Sequence, residues 1–289
     1  MAHRKKETYK KIIFWEIVIS ALLMLGIVIF LMIELGRNPA GPQETKPTYQ
    51  LVETTEAPTE DTIPLPEANP IDLGDFAMKG DYLHCLTTES WLGIDVSFWQ
   101  GNINWQQVKD AGVEFAMIRA AWRGSEVPTI HEDDFVHRNY AGARSAGIKV
   151  GAYFFSQAIT VEEAIEEAEY LLDVIDGWEV EMPIVFDWEV IDAGARTRGM
   201  DARTLTEITK AFCDTIKAAG YEPMIYFSMD QSLHGIYLRE LTDYKFWLAQ
   251  YNTVLNYPYK IDMWQYTETG SVPGISGSVD INLYFPWEE

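Results

Sequence analysis

The chain has 289 residues, with 44 acidic side chains against 22 basic ones, a formal net charge of −22 and two cysteines. That length suffices for one large or two ordinary domains with a true core, and a hydrophobic content of 47% rules out a disordered chain. The charge excludes a nucleic-acid partner, because a polyanion is bound by Lys and Arg that neutralise its phosphates. Cys85 and Cys213, without a CxxC or Cys/His spacing, make neither a disulfide framework nor a structural zinc site.

Residues 1–11 hold Arg4, Lys5, Lys6, Lys10 and Lys11 against Glu7, a local +4, and read as a basic tail. Residues 12–33 are apolar except for Glu16 and Ser20, and 22 helical residues at a rise of ~1.5 Å span ~33 Å, enough for a bilayer core. The spacing predicts a single transmembrane helix. A cleaved signal peptide is the rival, but its apolar run would be shorter and would end at a small-x-small site. The positive flank places the N-terminus in the cytoplasm and the rest of the chain outside the cell. Residues 34–90 interleave Pro39, Pro42, Pro47, Pro58, Pro64, Pro66 and Pro70 with Thr, Glu and Gln, and are expected to form an extended, disordered stalk.

From Trp91 the pattern becomes that of a folded domain over 91–289. Strands are predicted at 91–97, 114–120, 148–155, 182–189 and 222–228, each a short β-branched or aromatic run. Helices alternate with them. Asn104 caps the first and Gly112 ends it, residues 132–146 supply the second, a capping box runs from Thr160 to Glu163 before Gly177, and another from Thr204 to Glu207 before Gly220. Repeated β-α units imply a parallel sheet, and strands apolar on both faces fit a closed barrel or a doubly wound sheet. Three further strands at 244–251, 260–266 and 279–285 leave only 68 residues from Glu222 onward for four strands, too few for a helix at every crossover. The fold class is therefore α/β, an abbreviated β/α barrel of eight strands and about five helices, with room for an antiparallel last strand.

The chemistry lies in the carboxylates. Asp187 and Glu189, two apart at the end of the fourth strand, face one side, and the carboxyl ends of barrel strands are where such folds place their sites. Asp95 sits late in the first strand, and Asp280 at the start of the last would open on the same face if that strand runs antiparallel. Crowded like charges keep one acid protonated while another stays ionised, the division of labour that glycoside cleavage needs. A divalent cation is the other use of clustered acids, but neither an EF-hand loop nor a His-rich ligand set accompanies them, so no metal and no cofactor is expected. Among the aromatic residues near strand ends, Tyr153, Tyr226, Trp247 and Trp264 are the candidates for a sugar-binding groove. Arg119 suits either an acid or substrate carboxylate, or a structural ion pair. Neither Gly-x-Ser-x-Gly nor Gly-x-x-x-x-Gly-Lys occurs, which removes the commonest serine-hydrolase and P-loop readings.

Gly93-Ile94-Asp95-Val96-Ser97 with Gln100-Gly101 and Trp105, Ile118-Arg119-Ala120, Gly151-Ala152-Tyr153, Asp187-Trp188-Glu189, Trp264-Gln265-Tyr266 and Val279-Asp280-Ile281-Asn282 follow one another in order over 91–285. In this the chain resembles the family 25 glycoside hydrolases, the muramidase-type lysozymes. The resemblance implies cleavage of the β-1,4 bond between N-acetylmuramic acid and N-acetylglucosamine in peptidoglycan. It makes Glu189 the general acid, Asp187 the stabilising or orienting group, Asp95 and Asp280 supporting carboxylates, and Gln265 a further groove residue. Many members have His after the tyrosine of the third strand, where this chain has Phe154. The expected protein is a membrane-tethered peptidoglycan hydrolase outside the cell; a non-catalytic wall-binding or scaffolding module, or a hydrolase of another N-acetylated glycan, would use the same pocket.

Overall fold

The computed structural model describes residues 63–72, 74–191 and 194–287. The basic tail, the predicted membrane span and most of the predicted stalk lie outside the described residues; among the described residues, no helix is long and apolar enough to cross a membrane.

The folded unit opens with a hairpin, β1 (Phe76–Lys79) and β2 (Tyr82–Cys85), followed by β3 (Trp91–Val96), α1 (Trp105–Asp110), β4 (Phe115–Arg123), β5 (Ile130–Glu132), α2 (Val136–Ser145), β6 (Lys149–Ser156) and α3 (Val161–Val174). Then come β7 (Ile184–Trp188), α4 (Ala202–Ala218), β8 (Pro223–Ser228), β9 (Lys245–Ala249), β10 (Met263–Gly270) and β11 (Val279–Tyr284). Eight of these strands close a barrel in the order β3-β4-β6-β7-β8-β9-β10-β11, with β11 pairing back onto β3. β5 is an added edge on β4. All barrel neighbours are parallel except those of β11, which runs antiparallel to both β10 and β3. The eight strands and the reversed last one stand where the sequence pattern puts them.

Strand alternation divides the core in two. Ile184, Phe186 and Trp188 of β7 face the helices, where Phe186 meets Phe212 of α4 at 4.9 Å between ring centres, while Val185 and Asp187 face the barrel interior. The barrel floor is filled by Phe115, Met117, Met182, Val185, Met224, Met263 and Tyr284. Gly93 of β3 also faces inward, and a Cβ there would lie 2.1 Å from the Phe115 ring, so the floor is packed only because that side chain is missing. Polar residues come next, towards the carboxyl ends of the parallel strands.

Two expectations need correction. The stalk does not run to residue 90: Phe76–Lys79 and Tyr82–Cys85 are paired strands, Ile71, Tyr82 and Leu83 are buried, and Ala68 bridges Tyr259. Among the described residues no helix packs on the outside of β10, and this segment takes that place, with Phe76 edge-on to Trp264 at 4.9 Å and the Leu83 N–H donating to the Tyr266 hydroxyl at 3.4 Å. The second correction concerns α4, whose cap is Asp201 rather than Thr204. The Asp201 carboxylate accepts from the Thr204 N–H and hydroxyl at 3.0 and 2.7 Å, so the helix begins a turn earlier.

Candidate active site

Asp95, Asp187, Glu189 and Asp280 converge on one cavity of about 170 Å³, shared with Ser97, Trp99, Gln100, Arg119, Tyr153, Phe155, Tyr226, Trp247 and Gln265. Each acid arrives by strand register. Asp95 and Asp280 are directly opposed across the antiparallel β3–β11 ladder. Asp187 is the last inward residue of β7, and Glu189 stands one residue beyond that strand.

Asp95 is the hub. Its Oδ2 accepts from Gln265 Nε2 at 2.9 Å and from Asn282 Nδ2 at 2.8 Å, and Gln265 Nε2 also reaches Asp280 Oδ2 at 3.4 Å. These amides are themselves fixed: the Tyr226 and Tyr251 hydroxyls donate to Gln265 Oε1 at 2.8 and 3.1 Å, and Trp247 Nε1 donates to Asn282 Oδ1 at 2.9 Å. A hydrogen-bonded floor of neutral donors therefore orients Asp95 without supplying a cation.

Burial raises the proton affinity of all four acids. For Asp187 it pushes the pKa well above the usual carboxylate range, with the charges of Glu189 and Asp95 adding to it. Asp280 is pushed up to about 9, by burial first and then by Asp95. Asp95 is raised by burial although its amide donors pull the other way. Glu189 is raised by burial and by the charges of Asp95 and Glu268, against a hydrogen bond with Asp187. The site is thus two carboxyl pairs, Asp187 with Glu189 and Asp95 with Asp280, in which burial and the neighbouring charge both favour the protonated form. Glu189 is the more exposed member of its pair, and Asp187 Oδ1 is buried with no hydrogen-bond partner among the described residues.

The aromatic and basic candidates separate. Tyr153, Tyr226 and Trp247 line the cavity, and burial keeps both phenols protonated. Trp264 does not: it is fully buried on the outer face of β10, donating through Nε1 to the Gln250 carbonyl at 2.9 Å. Its neighbour Gln265 points inward, as the two-residue period of a strand requires. Arg119 lines the cavity and is also a structural partner, 2.9 Å through Nε from buried Asp133, which in turn accepts from the Phe98 N–H at 3.0 Å. Phe154, at the position where many family members have His, faces the helices, so that departure leaves the cavity wall unchanged.

Trp99, an aromatic residue near a strand end but not among the four groove candidates, and Glu268 join the site in the structure. Trp99 is 75% exposed at the cavity lip, its ring tilted by 32° against Phe98 at 4.4 Å in a short turn capped by Ser97. Glu268, on the outer part of β10, adds a fifth acid beside the groove. The small cavity shares Glu189 and Tyr226 with a larger one of about 780 Å³, and that one shares Tyr251 and Glu268 with a third of about 870 Å³. Together they form an extended groove with acids at one end. Among the described residues, no group of three or more His, Cys, Asp or Glu is arranged to hold a metal ion.

The family model for glycosyl hydrolases family 25 matches residues 94–275, most of the barrel. The chain belongs to that family. It is 32% identical over 202 residues to Lysozyme M1 of Streptomyces globisporus, covering 66% of this chain and 67% of that protein. Among solved structures, it is similar to the bacterial lysozyme from Streptomyces coelicolor, with a TM-score of 0.55 and 32% identity over 70% of this chain and 94% of that one. It also resembles the modular autolysin LytC from Streptococcus pneumoniae, with a TM-score of 0.58 and 25% identity over 68% of this chain. The chain spans about half the length of that autolysin, 47%. Family 25 membership makes this chain a glycoside hydrolase, built on the eight-stranded barrel described above.

Proposed function

We propose that the protein is a peptidoglycan muramidase that hydrolyses the β-1,4 bond between N-acetylmuramic acid and N-acetylglucosamine, with Glu189 as proton donor. The observation that carries this reading is the meeting of four carboxyl groups, from β3, from β7 and the residue just past it, and from β11, around one sugar-sized cavity at the end of an extended groove. Lysozyme relatives supply the substrate class.

The geometry divides the work. When the proton of the Asp187–Glu189 pair rests on Glu189, Asp187 carries the negative charge. Glu189 then gives its proton to the glycosidic oxygen as the C1–O bond breaks, Asp187 faces the positive charge that develops on the sugar ring, and water bonds to C1, releasing the proton that restores Glu189. Asp95 and Asp280, with one proton between them, hold the floor of the site and present a single negative charge there instead of two. The buried, unpartnered Oδ1 of Asp187 is an acceptor for a substrate donor, and exposed Trp99 offers a face for an apolar sugar surface. Glu189→Gln is expected to cut release of reducing ends from purified wall by ~10²- to 10⁴-fold with the fold intact. Mass spectrometry of the parent's products should find muramic acid at the new reducing ends. Full activity in Glu189→Gln would refute the assignment.

The reading extends to location. The +4 of residues 1–11, the apolar run 12–33 and the Pro-rich segment after it support a cytoplasmic N-terminus, a single membrane anchor and a stalk that carries the barrel outside the cell towards the wall. Its partners are then the glycan strands of peptidoglycan and the bilayer.

A further inference from the structure

The β-ladder that supports Asp187 stops short of Glu189. The last rung between β6 and β7 joins Ser156 to Trp188, and the last between β7 and β8 joins Asp187 to Tyr226. Beyond it, the carbonyl of Glu189 is taken up by a side chain. Gln157, fully buried just past the end of β6, donates through Nε2 to the Glu189 carbonyl at 2.8 Å. The same amide accepts at Oε1 from the Thr197 hydroxyl at 3.3 Å, so one side chain ties Glu189 to Thr197, which with Gly199 and Met200 walls the larger cavity. The neighbouring links reinforce the choice: Trp188 Nε1 donates to the Ala158 carbonyl at 2.9 Å, and Gln231 Nε2 donates to the Trp188 carbonyl at 3.1 Å. Gln157 does not line the cavity that holds the acids and so reaches the chemistry only through Glu189.

We propose that Gln157 is a positioning residue for the reaction: its amide replaces the missing rung of the sheet, fixes the Glu189 backbone, and so sets the direction in which the carboxyl presents its proton. The physical reason is the sensitivity of proton transfer to geometry. A proton donor must meet the leaving oxygen at hydrogen-bond distance, and a shift of ~1 Å from a residue outside the chemistry can cost ~10²-fold in rate. Substrate affinity, spread along the groove, depends little on that one carbonyl. A loosened Glu189 would also be wetter, which lowers the proton affinity that burial gives it.

The proposal rests on Glu189 as proton donor, and the test separates the two. Gln157→Met keeps the volume and removes the amide. It is expected to lower kcat on purified glycan strands at least ~10-fold with KM within ~3-fold, and to move the alkaline limb of the pH profile to lower pH. Gln157→Asn, too short to span the same gap, should do the same, with folding of both checked by circular dichroism. Either variant folded, with kcat within ~2-fold of the parent and an unmoved alkaline limb, overturns the proposal. So does a loss confined to KM, or a failure of both variants to fold, since the role is then structural. An inactive Glu189→Gln beside a fully active Gln157→Met sinks only the positioning role; an active Glu189→Gln sinks the functional reading itself.

Discussion

Asp280 shows how a single residue sets both chemistry and stability. Its folded-state value of about 9 lies above that of an ordinary aspartate, ~3.9. A carboxyl raised in this way contributes stability that is full below about pH 4 and is lost as pH rises through 9, because the unfolded chain ionises more readily. Asp280→Asn removes that loss. The variant is expected to melt higher than the parent at pH 8, by ~2–4 °C for each kcal/mol relieved, and the two melting curves should converge near pH 4. A lower melting point for Asp280→Asn at pH 8 would contradict the buried-pair account. At this scale the four acids were legible because inward acids at strand ends have no packing purpose. Trp264 and Gln265 illustrate the limit. Both are groove candidates by sequence, yet adjacent residues of a strand face opposite sides, and only Gln265 turns inward. Trp99 lies near a strand end like the four chosen aromatics, and the sequence does not separate it from core rings because exposure is not written in composition.

Among the elements, the hairpin β1–β2 has the clearest consequence. The last quarter of the chain has few helices, and the outer face of β10 would be left apolar and wet without a cover. Phe76, Tyr82 and Leu83 provide it. Leu83→Ala, at a site that is 1% exposed, is expected to destabilise the fold by ~2–5 kcal/mol while leaving kcat of the folded enzyme unchanged. Denaturant unfolding measures the first and steady-state assay the second; a loss below ~0.5 kcal/mol would mean the hairpin is not part of the cooperative unit. The eight barrel strands were legible as uninterrupted apolar runs with glycine or capping residues between them. The hairpin was not, since its four-residue strands lie beside a segment rich in proline and acid. β5 and the early start of α4 escaped for a related reason: three-residue edges and competing caps leave little periodicity to detect.

For the whole molecule, the proposed tether separates where the enzyme works from how it works. Removing residues 1–33 is expected to shift activity from the membrane fraction to the soluble one, with turnover on solubilised glycan within ~2-fold of the full chain, since confinement raises local concentration without adding a contact. Identical fractionation of the two forms would overturn the anchor. Barrel topology carries a last consequence. Asp95 lies on the first barrel strand, but its amide donor Asn282 and its carboxyl partner Asp280 lie on the final one. A nascent chain still short of residue 282 can therefore neither close its cylinder nor assemble its acid cluster. Closure of the last strand on the first is thus the step that completes cylinder and acid cluster together.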